Sequence, residues 1–276
     1  MLKNRIIEIV IGIAVTMLLT STAFGGGQYT SGHAVAHDGS QIYYEVHGTG
    51  RKFLLFGFQL QPGAPTVQQF VEGLGQDYKL VLARYPGGAR EARMYSLTPA
   101  AVARDYLAVA DAVGADEFAF YGYSWGAVCG LQLAIRSPRL KALVAGGFPM
   151  IDGPYPDMLK TLRLRVIEHV QSDSAREFDR QILTFYEGLQ SFDDRSVQSE
   201  LRIPRLNFVG TEDSVTFPGN VHVEFFKIFD HGRKELTAAG WQVVSLTGKN
   251  HSTGSGPDVV VPLVRNWLGE NWRDER

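Results

Sequence analysis

One cysteine in 276 residues, Cys129, excludes an intrachain disulfide and any cysteine-based metal site. It falls inside an alanine-rich stretch of helical character, where the expected role is that of a small buried apolar residue. Charge of one sign is equally scarce: 27 Lys and Arg against 29 Asp and Glu leave a net charge of −2, with both signs dispersed along the chain. No run of Lys and Arg could track a phosphate backbone, so nucleic acid is not an expected partner. Internal repeats and low-complexity linkers are lacking too. Long apolar runs are scarce, which makes a stable transmembrane anchor the less favoured reading. The N-terminal run Ile9 to Leu19 would span about 16 Å as a helix, against a hydrocarbon core of roughly 30 Å.

That run has a different reading. Lys3 and Arg5 precede it, and small residues ending in Gly25-Gly26-Gly27 follow, which is the layout of a secretory signal peptide. Residues 1–25 are therefore expected to direct export to the periplasm or the medium, with cleavage after Ala23 or Gly25. An uncleaved N-terminal anchor is the alternative, and it would be the protein's one link to a membrane. A lipoprotein is excluded because no cysteine lies near the cleavage site. The whole sequence is 45% hydrophobic, and its length suits one large domain.

From Ser31 onward, short β-rich runs alternate with helical ones, the pattern of a mostly parallel sheet covered on both faces. His33 to Ala36 and Gln41 to Val46 read as a hairpin turned by Asp38-Gly39-Ser40. Phe53 to Phe58 and Lys79 to Arg84 read as buried strands around a helix at Thr66 to Leu74. Thr98 caps an amphipathic helix that runs to Val113. Further strands are expected at Glu117 to Tyr121, Leu140 to Ala145, Arg205 to Val209 and Trp241 to Leu246, before a closing helix at Val259 to Leu268. Pro149 to Val197 breaks the alternation. Phe178, Ile182, Phe185, Tyr186 and Leu189 lie on one helical face, and Leu159, Leu162, Val166 and Val170 form a second stripe. The expected organisation is a core over 26–148, a helical lid over 149–200 and the rest of the core over 201–276, with the lid above the strand ends where ligands bind.

Gly122-Tyr123-Ser124-Trp125-Gly126 joins an expected strand to an expected helix. Such a string is common by chance in a chain with 30 glycines, so its placement carries the inference. A tight strand-to-helix turn presents the Ser124 hydroxyl above the sheet and leaves the next N–H, that of Trp125, facing a developing oxyanion. A serine nucleophile needs a base, and the base needs a partner to fix its tautomer. Asp213, in Gly210-Thr211-Glu212-Asp213, and His251, in Thr247-Gly248-Lys249-Asn250-His251, both stand just past expected strand ends. Glu212 and Asp152 compete for the carboxylate role. His222 and His231 fall in an expected helix, and His33, His37, His47 and His169 read as surface or hairpin residues.

In these three motifs and in their order, Ser, Asp, His, the chain resembles the α/β-hydrolase superfamily from Ser31 to the C-terminus. The resemblance implies a mostly parallel eight-stranded sheet flanked by helices, with a small helical lid insertion. It implies Ser124 as nucleophile, His251 as general base and then acid, and Asp213 as the orienting carboxylate. The oxyanion hole would pair the backbone N–H of Trp125 with that of Phe58, and no metal or cofactor is implied. Two departures stand out. Phe56-Gly57-Phe58 keeps the glycine but not the histidine usual before it, and Ala83-Arg84-Tyr85-Pro86-Gly87 lacks the aspartate common before the arginine. Serine at the elbow implies acyl transfer. Phe58, Trp125, Met150, Tyr155 and the lid stripes suggest an apolar pocket. The expected activity is hydrolysis of an ester or lactone, or of an amide, in a small and largely apolar molecule through an acyl-enzyme. The alternatives are an aminopeptidase in which Asp193 and Asp194 bind a substrate amine, and a ligand-binding protein with little turnover.

Overall fold

The computed structural model describes residues 20–22, 29–85, 96–168 and 173–273. The run Ile9 to Leu19, His169, Val170 and Pro86-Gly87 lie outside them.

The chain begins with two strands that were expected as a hairpin, β2 (Tyr29–Val35) and β3 (Gln41–His47), paired antiparallel. A three-residue strand, β1 (Thr20–Thr22), pairs with the outer edge of β2. It was not expected as a strand, because it falls within the segment read as a signal peptide. Then follow β4 (Lys52–Phe56), α1 (Val67–Leu74), β5 (Tyr78–Ala83), α2 (Pro99–Ala112), β6 (Phe118–Tyr123), α3 (Trp125–Ala134) and β7 (Leu140–Gly146). Helices α4 (Tyr155–Glu168) and α5 (Asp173–Glu187) come next, between β7 and β8 (Arg205–Gly210). The chain closes with β9 (Val215–Phe217), β10 (Val221–Val223), α6 (Phe225–Ala238), β11 (Trp241–Leu246) and α7 (Pro257–Asn271).

The main sheet has the order β1-β2-β3-β5-β4-β6-β7-β8-β11. From β5 to β11 all neighbours are parallel, and the N-terminal strands add on antiparallel. These are the eight expected strands with β1 as a ninth. Because successive side chains on a strand face opposite ways, each central strand feeds two cores. Leu55, Val81, Phe118 and Phe120 pack with α2, α3 and α6 on one face. Leu54, Phe56, Leu80, Leu82 and Tyr121 pack with α1 and α7 on the other. Thr98 caps α2, its hydroxyl accepting the Ala101 N–H at 3.2 Å, which is worth about 1 kcal/mol.

Cys129 is fully buried in α3, and burial pushes its thiol pKa well up, consistent with a packing role. One local expectation fails. His222 sits in the β9–β10 ribbon rather than in a helix, and His231 alone of that pair is helical, in α6. The alternation Val215, Phe217, Val221, Val223 has period two, and Gly219 and Asn220 turn the chain with φ of 71° and 56°.

The order β5-β4-β6 contains the reversal that matters. The chain goes from β4 outward to β5, then returns through α2 to the other side of β4. The topological switch point thus lies at the C-terminal ends of β4 and β6, the place where open α/β sheets form the crevice that binds ligands.

Candidate active site

Ser124 stands at that crevice, between β6 and α3, with φ 54° and ψ −122°. This backbone conformation is strained for a residue with a Cβ, and strain of this kind costs about 1–3 kcal/mol. The surroundings hold it in place: the Ser124 N–H donates to the Gly146 carbonyl at 2.8 Å, and the Ala127 N–H donates to the Ser124 carbonyl at 2.9 Å. The turn is so tight that a Cβ on Gly122 would lie 2.1 Å from the Gly126 carbonyl oxygen. A side chain at 122 is therefore impossible without opening the elbow.

His251 and Asp213 come from the loops after β11 and β8, which are parallel neighbours in register, Leu246 opposite Gly210. The two loops are laced together. The Thr211 N–H donates to the Leu246 carbonyl, the Glu212 N–H to the Lys249 carbonyl, and the Gly248 N–H to the Thr211 hydroxyl, all at 2.9–3.0 Å. A Cβ on Gly210 would meet the Lys249 carbonyl oxygen at 2.1 Å, so only glycine allows this crossing. The result is a continuous chain of side chains. His251 Nε2 lies 3.1 Å from Ser124 Oγ, and His251 Nδ1 lies 2.8 Å from Asp213 Oδ1. The Asp213 carboxylate is fully buried, while a quarter of the His251 side chain is exposed.

Two residues that the sequence did not single out hold the imidazole. Phe225 stacks on it with centroids 5.1 Å apart, and Tyr123 lies against it at 5.4 Å. The Tyr123 hydroxyl donates to the His251 carbonyl at 2.8 Å. Burial and then the Asp213 carboxylate push the Tyr123 phenol pKa up, so it stays a neutral donor. Tyr123 occupies a variable position of the elbow string, and Phe225 opens α6; neither carries a sequence signal of its own.

The competing carboxylates lie elsewhere. Glu212 is exposed, and Asp152 pairs with Arg195 at 2.6 Å. Asp193 and Asp194 also have partners within the protein. Asp193 Oδ1 accepts the N–H groups of Arg195 and Ser196. Asp194 accepts the N–H groups of Asp152 at 3.0 Å and Gly153 at 2.8 Å. Burial raises the Asp194 carboxyl pKa above its usual range, and those two N–H groups pull it back. Asp194 thereby fixes the turn after β7, where Asp152 adopts φ 54°. Asp194→Ala should lower the stability of the protein by about 1–3 kcal/mol, since it strands the buried Gly153 N–H and frees the part-buried Asp152 N–H. Urea unfolding would measure this, and a change under about 0.5 kcal/mol would mean the turn is held by other contacts.

His37 and His47, expected at the surface or in the hairpin, both lie in the hairpin: His47 ends β3, buried against Glu45 at 2.8 Å, and His37 stands in its turn, paired with the buried Asp105 at 2.9 Å. Among the described residues no group of three or more His, Cys, Asp or Glu is arranged to hold a metal ion.

Phe58 follows β4 and Trp125 opens α3, so their backbone N–H groups come from the two strand ends flanking the crevice. A Cβ on Gly126 would lie 3.6 Å from the Phe58 nitrogen, which places Phe58 beside the elbow. Their rings meet at 5.8 Å, and α5 covers them with Phe178 and Phe185. The expected apolar residues Met150 and Tyr155 are buried, Tyr155 against Phe148 and Phe192.

No protein-family model matches the chain. The Putative carbamate hydrolase RutD of Azorhizobium caulinodans is 24% identical over 216 residues, covering 65% of this chain and 80% of that protein. A solved hydrolase from Pseudomonas aeruginosa superposes with a TM-score of 0.63 at 18% identity, covering 87% of this chain and 98% of its own. The enol-lactonase from Burkholderia xenovorans superposes with a TM-score of 0.60 at 18% identity, covering 87% and 100%. Strand order, the turn between β6 and α3, and these superpositions agree on the fold: the chain has the α/β-hydrolase fold.

Proposed function

We propose that the protein is a serine hydrolase that cleaves an ester or lactone bond in a small, largely apolar molecule through an acyl-enzyme. The observation that carries this reading is the unbroken hydrogen-bonded chain from Ser124 through His251 to Asp213 at the switch-point crevice. His251 Nε2 takes the hydroxyl proton as Ser124 Oγ attacks the carbonyl carbon. The Asp213 carboxylate holds Nδ1–H in place and stabilises the imidazolium. Negative charge on the carbonyl oxygen falls to the Trp125 and Phe58 N–H groups, the first of them at the positive end of α3. Collapse of the tetrahedral adduct expels the alkoxide, which takes the proton from His251. Water, deprotonated by His251, then releases the acid and restores Ser124.

An ester or lactone is favoured because an alkoxide leaves more readily than an amine, and because the aromatic rings of Phe58 and Trp125 beside Ser124 make its surroundings apolar. The enol-lactonase is a structural neighbour with chemistry of this kind. A carbamate, the substrate type in the name of the curated relative, reacts by the same steps and belongs in the same substrate panel. The aminopeptidase reading loses support because Asp193 and Asp194 are engaged by backbone N–H groups. The proposed partner is a small molecule, and the dispersed charges offer no basic run for nucleic acid.

Covalent labelling with a fluorophosphonate, followed by peptide mass spectrometry, tests the proposal. An adduct on Ser124 that disappears in His251→Ala supports an activated serine. Folded protein that takes no label would favour the ligand-binding alternative. Export through residues 1–25 is part of the proposal, on the strength of the basic, apolar and small-residue sequence of that segment. It is checked by N-terminal sequencing of the mature protein, where an intact Met1 would favour the anchor. Among the described residues no helix is long and apolar enough to cross a membrane.

A further inference from the structure

We propose that helix α5 sets the geometry of the oxyanion hole, with Phe178 and Phe185 as positioning residues for the backbone donors of Phe58 and Trp125. The inference rests on the serine-hydrolase reading and adds to it a role for the lid.

The two donors are not held equally. The Trp125 N–H belongs to the elbow, which the Gly122–Gly126 approach makes rigid. The Phe58 N–H lies in a short turn anchored on either side of it. The Gly57 N–H donates to the Tyr121 carbonyl at 2.8 Å, and Gln59 Nε2 reaches the same carbonyl at 3.3 Å. The position of this donor therefore depends on where the Phe58 side chain is packed. In relatives with the usual pattern a histidine precedes the glycine of this turn; here Phe56 does, and it packs into the opposite core against Phe70 and Tyr121.

What packs the Phe58 ring is the lid. Phe178 lies against it at 5.2 Å, and on its other side it meets the Trp125 indole at 5.8 Å and 71°. Phe185 closes on that indole at 5.5 Å and 81°. Phe178 and Phe185 are two helical turns apart on one face of α5, so a single rigid element touches the side chains of both donors. Helix α5 is itself fixed to the core. The Leu97 N–H donates to the Thr184 hydroxyl at 2.8 Å, and Arg165 of α4 grips the buried Asp179 with contacts of 2.8 and 3.1 Å. Displacing α5 would move Phe58 and its N–H relative to the elbow. A donor displaced by about 1 Å costs up to ~100-fold in rate, comparable with removing it.

A pocket wall and a positioning residue behave differently. Phe178→Ala is expected to lower kcat by about 10–100-fold with KM within roughly threefold, and by the same factor for acetyl and longer acyl esters. Binding of a trifluoromethyl ketone that forms an adduct with Ser124 should weaken by the same factor as kcat/KM. Phe185→Ala should act alike through Trp125, and Phe178→Leu, which keeps most of the contact and the fold, should recover most of the activity. A loss confined to KM and growing with acyl length would overturn the inference and leave the hydrolase reading standing. So would wild-type kcat in folded Phe178→Ala or, should that variant unfold, a kcat loss in Phe178→Leu as large as that expected of the truncation. Absence of turnover and of label in the wild type would overturn both.

Discussion

Ser124→Ala is expected to lower kcat by about 10⁴–10⁶-fold, leaving only what the oxyanion donors and substrate positioning contribute. The expectation follows from the proposed role of Ser124 Oγ as the attacking atom, whose removal leaves its neighbours in place: Trp125 is fixed by α3, and the His251–Asp213 pair is built from separate loops. Stability should respond differently. Alanine retains a Cβ at φ 54° and ψ −122°, so Ser124→Ala keeps the backbone strain, whereas Ser124→Gly removes it. The glycine variant should melt about 2–4 °C above the alanine variant if relief of strain outweighs the freedom gained by the unfolded chain. Single-turnover kinetics on an activated ester, with thermal unfolding of the three proteins, would measure both effects. Activity in Ser124→Ala within about tenfold of the wild type would dismiss Ser124 as nucleophile.

Asp213→Asn should cost about 10³–10⁴-fold in kcat at neutral pH with little change in KM. The amide can face His251 in two ways. With its nitrogen toward Nδ1 it forces the proton onto Nε2, and the base can no longer accept from Ser124. With its oxygen toward Nδ1 the tautomer survives, but the imidazolium loses its counter-charge and a buried N–H₂ takes the place of Oδ2, which has no partner among the described side chains. Either outcome is severe because the carboxylate is fully buried and water cannot substitute for it. Asp152→Asn and Glu212→Gln should remain within about threefold of the wild type, since neither carboxylate reaches His251. Should Asp213→Asn be nearly as active as the wild type, another group must orient the base.

The fold was legible because its signals are local. Continuous apolar runs such as Phe53 to Phe58 mark strands buried on both faces, and Thr98 marks a helix start that the structure places at the same residue. The ribbon at Val215–Val223 was misread because two three-residue strands are too short to show a period against the helical background. His37 and His47 were expected in the hairpin or at the surface and lie in the hairpin, but their partners were not legible. Nothing near them in sequence announces Asp105, 68 residues from His37, or the covering of β3 that buries His47 beside Glu45. The apolar face of α5 was visible at its spacing, yet not what it faces. That Phe178 meets Phe58 depends on where a helix between β7 and β8 comes to rest.

By itself the sequence determined the alternation of strand and helix, the elbow at Ser124 and the chain order of candidate nucleophile, acid and base, because these follow from periodicity and from neighbours a few residues apart. Which carboxylate meets His251 was decided only by the tertiary structure. Asp213, Glu212 and Asp152 are chemically alike and all stand near strand ends. The parallel register of β8 and β11 starts the two loops at one level, the Gly210–Lys249 crossing locks them together, and the turn that follows directs Asp213 inward while Glu212 faces water. A hydrogen bond between residues 38 apart and another between residues 127 apart depend on that assembly. The sheet supplies the common edge on which they meet.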